Sequence, residues 1–137
     1  MDLRESIAKQ TGFALRLANH VGRGIAGGSN LAFSPLSLHV VLGLIAAGSK
    51  GPTRDQILSL VGSASSDELS CFASQIVAVV LSDASASGGP RVVFSNGVWV
   101  DGSVSLKPSF KQIVSETYKA EAKAVDFQSN VRSFYQF

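Results

Sequence analysis

The sequence is short of cysteine, of glycosylation signals and of long hydrophobic runs. Its single cysteine, Cys71, excludes an intrachain disulfide framework and agrees with a reducing compartment. No apolar run approaches the roughly 20 residues of a membrane-spanning helix. The N-terminal MDLRESIAKQ lacks the apolar core of a signal peptide, and no N-x-S/T acceptor occurs. These absences predict a cytoplasmic or nucleocytoplasmic protein.

Charge is also scarce. Charged residues make up 16% of the 137 positions and hydrophobic residues 45%, whereas a typical globular domain is about 25% charged. This balance suits the interior of a larger structure better than a complete small protein. The net charge of +2 is too small to indicate a nucleic-acid or membrane partner. The length predicts one domain.

Residue patterns that carry catalysis or bind metals are missing. The only histidines, His20 and His39, have no cysteine or carboxylate at metal-ligand spacing, and no G-x-S-x-G elbow occurs. The sequence therefore predicts no metal, no cofactor and no enzymatic activity. Cys71 lies between Leu69 and Phe72 on a predicted apolar helix face and has no basic neighbour, so we expect a buried, unreactive thiol.

The most informative stretch of the chain begins with a predicted strand and helix. Leu31–Phe33 is an apolar run too short for a helix and typical of a buried strand. Ser34 occupies the expected N-cap position, and Pro35 occupies the first helical position. The helix from Leu36 to Ala47 is apolar on nearly all sides, so we expect other elements to enclose it.

The remaining elements follow from periodicity and capping signals. Thr53 with Gln56, and Ser65 with Glu68, read as capping boxes that open two further helices. Apolar spacing predicts a first helix over Leu3–Val21, a helix face made of Leu69, Phe72, Ile76, Val79 and Val80, a strand over Arg91–Val100, a helix over Phe110–Tyr118 and a strand over Glu121–Phe127. Helices dominate the first half and strands appear in the second, which indicates the α+β class.

Several ordered motifs resemble the serpin superfamily, and the plant serpins in particular. These motifs are FSPLSL at 33–38, G-x-x-G-P-T-R-D-Q-I at 48–57, FSNGVWVDGSVSLKPSF at 94–110 and YKAEAKAVDF at 118–127. The resemblance covers residues 1–128 and implies the N-terminal part of the serpin fold. In that part, several helices pack against an incomplete, mainly antiparallel sheet.

The resemblance also implies a domain organisation. Residues 1–137 would form a single incomplete serpin domain, in which residues 1–128 are family-like and residues 129–137 form a divergent tail. The tail carries three aromatic residues, at Phe134, Tyr135 and Phe137, where serpins would begin an amphipathic helix.

By the same resemblance, a polar cluster called the shutter would include Asn30, Phe33, Ser34 and Ser37. In serpins this cluster lies beneath the central sheet and controls its opening. Ser34 is also explained as a helix cap. For Ser37 the resemblance gives the only explanation, because a hydroxyl in the first turn of a buried helix needs a hydrogen-bond partner that the sequence does not identify.

Serpins inhibit serine or cysteine proteases through a reactive-centre loop near the C-terminus of a much longer chain. This sequence stops at Phe137, so we expect a truncated, non-inhibitory member and a pseudogene candidate. The alternatives are an interaction module that pairs with another serpin chain, self-association through an exposed strand edge, and an incomplete gene model of an inhibitory serpin. Asp67–Ser82 contains no lysine or arginine, so no heparin site is expected. The wider family also includes proteins released from cells.

Overall fold

The computed structural model describes residues 2–24 and 27–128. The chain divides into two compact units, Met1–Gln75 and Ile76–Phe137. The first unit is helical and the second combines short helices with two strands. The α+β class is therefore confirmed. The predicted divergent tail, residues 129–137, lies outside the described residues.

Four helices make up the first unit. They are α1 (Leu3–Gly24), α2 (Pro35–Gly48), α3 (Gly51–Val61) and α4 (Ser66–Gln75). Helix α2 packs against each of the other three, and α1 also contacts α3. A buried hydrophobic cluster joins them through Phe13, Ala46, Val61 and Leu69, against which Leu17, Leu42, Ile57 and Leu58 pack. Because this cluster draws residues from all four helices, it fixes how α2 is oriented.

The predicted boundaries of α2 are confirmed. Ser34 caps the helix, Pro35 begins it, and after Gly48 the backbone N–H of Ser49 donates to Ala46 at 3.1 Å. The expected enclosure is incomplete, however, because Leu38, Val41 and Ile45 remain 45%, 38% and 46% exposed. The prediction that other elements cover the whole helix is therefore wrong for this outer face.

Two predictions around α2 are wrong. Leu31–Phe33 is neither a regular strand nor buried, because among the described residues no strand pairs with it and a strand needs a partner for its backbone groups. The predicted capping box of Thr53 with Gln56 is also absent, since α3 already begins at Gly51 with Pro52 in its first turn. The fixed φ of proline favours this earlier start.

Helix α1 is longer than predicted and buries other residues. It continues to Gly24 instead of ending near Val21, and its buried residues are Ser6 and Phe13. Leu3 and Ile7, which share the predicted apolar face, are exposed. The packing partners α2 and α3 therefore bury a face that is rotated from the predicted one and shares Leu17 with it.

The Ser65 half of the predicted capping box of α4 is confirmed, whereas the Glu68 carboxylate accepts from the Ala64 N–H and not from that of Ser65. The predicted apolar face of α4 is only partly buried. The Ser65 hydroxyl accepts from the Glu68 backbone N–H at 3.1 Å, and Leu69 and Phe72 are buried. From Ile76 to Val80 the chain winds as a π-helix in the second unit. The wider turn rotates later side chains away from the α-helical face, and Val79 and Val80 are exposed.

The second unit contains a parallel pair of short strands. Strand β1 (Gly97–Asp101) lies in register with β2 (Glu121–Val125), so that Gly97 is opposite Glu121 and Asp101 is opposite Val125. This pair differs from the expectation of a mainly antiparallel sheet. The connection of residues 102–120 carries helix α5 (Pro108–Gln112), which continues as a π-helix over Ile113–Thr117, and such crossovers join parallel strands.

The strands are shorter than their apolar patterns predict. Residues 91–95 precede β1 without strand pairing, although the Asn96 carbonyl accepts from the Glu121 N–H at 3.2 Å. Strand β2 ends at Val125, before the exposed Phe127. The predicted helix over Phe110–Tyr118 is confirmed, since α5 and the π-helix that continues it occupy nearly the same residues. Val114 and Tyr118 are fully buried.

Candidate functional site

The start of α2 places two predicted site residues in direct contact. Ser34 has an extended backbone (φ −112°, ψ 101°), and its Oγ accepts from the backbone N–H of Ser37 at 3.2 Å. The Oγ atoms of Ser34 and Ser37 also lie 2.9 Å apart and form a hydrogen bond. The hydroxyl of Ser37 therefore finds its partner within the cap itself.

The other two predicted site residues lie just before this helix. Asn30 and Phe33 are both exposed, and Phe33 retains 38% of its accessible surface. The structure therefore brings together Ser34 and Ser37 and leaves Asn30 and Phe33 on the surface. Each hydroxyl oxygen carries two lone pairs, so the serine pair can still accept a hydrogen bond from a further polypeptide segment.

A charged cluster that sequence reasoning missed ties α1 to the start of α4. Lys9 Nζ lies 2.8 Å from a carboxylate oxygen of Glu5 and 3.0 Å from one of Glu68. The other oxygen of Glu68 accepts from the backbone N–H of Ala64 at 2.9 Å and from the Ser63 hydroxyl at 2.7 Å. The Glu5–Lys9 spacing of four residues signals the local pair, but nothing local indicates the contact with Glu68.

The hydrogen bonds of this cluster shift both charged groups in the expected directions. The pKa of Glu68 falls to about 2, mainly because the Ala64 N–H and then the Ser63 hydroxyl and Lys9 favour the carboxylate. The hydrogen bonds to Glu5 and then Glu68 raise the pKa of Lys9. The cluster is saturated by its own members, so it stabilises the helix junction and offers no free general base.

His39 lies inside the first unit between two aromatic rings. Its imidazole is 3% exposed and meets Phe13 and Phe72 edge-on, with ring centroids 5.5 and 5.6 Å away. Burial lowers the pKa of His39. Ser6 Oγ is buried beside the same small cavity and has no hydrogen-bond partner among the described residues. Burial therefore favours the neutral form of His39 and makes it a core side chain that packs between the two rings.

Cys71 is exposed, so the prediction of a buried thiol is wrong. Leu69, Phe72 and Ala73 are the buried residues of α4. Successive helix residues are about 100° apart, so Cys71 falls on the side opposite these three. Adjacency in sequence to Leu69 and Phe72 therefore did not place it on their face.

Comparison with known proteins identifies the family to which this architecture belongs. The sequence matches the family model Serpin (serine protease inhibitor) over residues 8–134. The chain belongs to the serpin family. The match includes the capped helix α2 with Ser34 and Ser37, as well as both strands of the second unit.

Plant serpins are among the most similar relatives. The chain is 51% identical over 129 residues to Serpin-ZX of Arabidopsis thaliana, an alignment that covers 94% of this chain and 33% of that protein. It is 56% identical over 133 residues to Serpin-ZXA of Oryza sativa subsp. japonica, with 93% and 34% covered. This serpin chain thus spans about a third of the length of these relatives.

A solved structure confirms the fold. The structure titled "Structure of Arabidopsis AtSerpin1. Native Stressed Conformation" matches with a TM-score of 0.88 and 49% identity, and the match covers 98% of this chain and 34% of that one. Serpins are protease inhibitors as a family, so this chain belongs to an inhibitor family and not to a family of enzymes. Among the described residues, no helix is both long and apolar enough to cross a membrane.

Proposed function

We propose that residues 1–137 are the N-terminal scaffold portion of a plant serpin and do not inhibit a protease by themselves. Serpin inhibition uses an exposed reactive-centre loop that inserts into an opened sheet as an added strand. The resemblance places this loop in the later part of a chain about three times as long. A longer chain that contained these residues and the loop would be inhibitory.

The observation that supports a scaffold role is the exposed outer face of α2. This helix is apolar around nearly its whole circumference, and such helices are enclosed in folded proteins. Within the described residues, Leu38, Val41 and Ile45 nevertheless remain substantially exposed. Residues 1–137 therefore present a helix whose composition suits a larger core than they provide.

Ser34 and Ser37 would serve this scaffold as part of a shutter-like polar cluster. Their hydroxyls already bond to each other at 2.9 Å, and the pair retains acceptor capacity towards a neighbouring segment. Asn30 and Phe33 would complete the cluster when further chain covers them. In this proposal the cluster is structural and has no catalytic role.

A protease-trapping assay tests the proposal. The purified 137-residue chain is mixed separately with a trypsin-like and a papain-like protease, and a full-length Z-type plant serpin serves as the positive control. We expect the control to form a denaturant-resistant complex with a protease that it inhibits and the 137-residue chain to form none. A covalent complex that contains the chain would overturn the proposal.

A second candidate function is an interaction module that pairs with another serpin chain. It is favoured by the small sheet of the second unit, which has two strands within the described residues and could grow by strand addition. Co-purification with a full-length serpin at a defined stoichiometry would support this function. Independent elution of the two proteins at micromolar concentration would exclude it.

An intracellular location also stays a proposal. It is supported by the single, exposed Cys71, since disulfide-rich frameworks are typical of secreted proteins. Subcellular fractionation with an antibody to the chain would test the location directly.

A further inference from the structure

Residues 81–96 form a segment of the second unit that contains neither α-helix nor β-strand. A single 3-10 turn lies at Ser85–Ser87. Two hydrogen bonds close the loop around it, because Gly89 N–H donates to the Ala84 carbonyl at 2.9 Å and Ala84 N–H donates to the Pro90 carbonyl at 3.3 Å. The closed loop of residues 84–90 therefore ends immediately before Arg91.

The five residues that follow this loop, 91–95, alternate between exposed and half-buried. Arg91 is exposed, and Val93 retains 82% of its accessible surface. No backbone–backbone hydrogen bond joins residues 91–95 to another described residue. The Val92 N–H is directed at the Asp83 carboxylate and helps to lower the pKa of that group, whereas the other backbone groups of this stretch can pair with an incoming strand.

The chemistry of the segment selects one class of partner. Endopeptidases bind their substrates by strand addition, and those with an acidic residue at the base of the S1 pocket require a basic side chain before the cleaved bond. Arg91 is the only lysine or arginine between Arg54 and Lys107. Exposed loops of small and polar residues are the preferred sites of proteolytic nicking.

We propose that the Arg91–Val92 bond is a cleavage site for an arginine-specific endopeptidase. Water adds across the amide, so that Arg91 acquires the new carboxylate and Val92 the new ammonium group. The products are residues 1–91 and 92–137. The chain is an ordinary substrate in this reaction, at a position separate from any reactive-centre loop.

Limited proteolysis of the full 137-residue chain tests this proposal. An endopeptidase that cleaves only after arginine is added at a low ratio, so that the exposed Lys50 and Lys119, which lie outside helices and strands, are not cut. Early products are identified by mass spectrometry of the intact fragments. We expect fragments 1–91 and 92–137 to appear first. The basic side chains of α1 and α3 lie in regular helices, which must unfold locally before a protease can bind them.

Three variants test whether the first cut depends on the side chain of Arg91. Arg91→Gln should lower the rate of the first cut at least about 100-fold, because it leaves the S1 carboxylate unpaired. Arg54→Gln, which removes a half-buried arginine within α3, should leave that rate unchanged. Arg91→Lys should stay sensitive to trypsin and become resistant to a protease that accepts only arginine.

A first cut at any other basic residue would overturn the proposal, as would an unchanged rate for Arg91→Gln. Far-ultraviolet circular dichroism of each variant shows whether the helices are retained. This experiment can fail independently of the proposed function. A persistent covalent adduct with the protease would contradict the proposal that the chain does not inhibit proteases, whereas the position of the first cut tests only the cleavage site.

Discussion

Glycine at position 97 is a steric requirement of its neighbour Trp99. The two residues lie two apart on β1 and therefore on the same face of the strand. A Cβ atom at position 97 would overlap the Trp99 indole ring. Rigid ring atoms of a partly buried side chain cannot move aside cheaply.

We expect Gly97→Ala to lower the free energy of unfolding of the second unit by about 1–3 kcal/mol, the usual effect of overpacking. The fluorescence of the single tryptophan in a urea titration measures this change. Gly102→Ala is the matched control, since its Cβ would meet only the Val125 carbonyl at 3.8 Å. An equal decrease in the free energy of unfolding in both variants would contradict the steric explanation.

His39 is the other residue whose environment has a measurable consequence. Burial lowers its pKa from 6.5, so the folded state keeps the imidazole neutral while the unfolded chain binds a proton. Stability from this residue is thus complete above pH 6.5 and is lost as the pH falls towards the lowered pKa. Lys9 and Glu68 line the same cavity, but Glu68 titrates only at far lower pH, with a pKa of about 2.

Between pH 7 and pH 5 we expect the free energy of unfolding to fall by at most about 1.4 kcal/mol per pH unit. Helical circular dichroism in urea titrations at several pH values measures this slope. His39→Phe should flatten it, whereas His20→Gln, which removes an exposed histidine and keeps His39, should not. A slope that persists in His39→Phe would assign the effect to other groups.

At the scale of single elements, α2 depends on the hydroxyl of Ser34. This atom accepts the N–H of Ser37 and bonds its hydroxyl as well, so one side chain satisfies two donors at the helix start. The cap is local and needs no distant partner. Its energetic effect should therefore be measurable in the 137-residue chain.

We expect Ser34→Ala to lower the free energy of unfolding by about 1 kcal/mol, a typical loss for an N-cap. Ser34→Asp, whose carboxylate can accept the same N–H, should retain most of the stability. Ser37→Ala keeps the backbone N–H that donates to Ser34, so its free energy of unfolding should fall less than that of Ser34→Ala. Urea midpoints followed by circular dichroism rank the three variants, and a larger loss in Ser37→Ala than in Ser34→Ala would refute the cap assignment.

At the scale of the whole molecule, the exposed apolar face of α2 controls how the chain behaves in solution. Leu38, Val41 and Ile45 recur at helical spacing and form one apolar stripe. Exposed stripes of this kind promote association. We expect the isolated chain to self-associate.

Ile45→Lys should shift the chain towards the monomer in sedimentation velocity experiments, because it places a charge in the middle of the stripe. Leu15→Lys is the control, since Leu15 is 67% exposed on α1 and lies outside the stripe. A parent chain that stays monomeric would show that the exposed face of α2 does not drive self-association.

The sequence by itself determined the features that depend on neighbouring residues. The cap and bounds of α2, the Ser65 cap of α4 and the α+β class were predictable, because capping and periodicity act over three or four positions. The family was predictable from the ordered motifs that resemble it. Within the candidate site, the position of Ser34 was predictable in the same way. The hydrogen bond between the hydroxyls of Ser34 and Ser37 was missed, although their spacing of three residues is that of a capping box.

Only the tertiary structure decided the features that depend on residues far apart in the chain. It determined which side of α1 and α4 is buried, and therefore that Cys71 is exposed and Ser6 buried. It also joined Lys9 to Glu68 and paired β1 with β2 in parallel. Helix faces and strand partners are selected by packing across the molecule, and a local apolar pattern is compatible with more than one such packing.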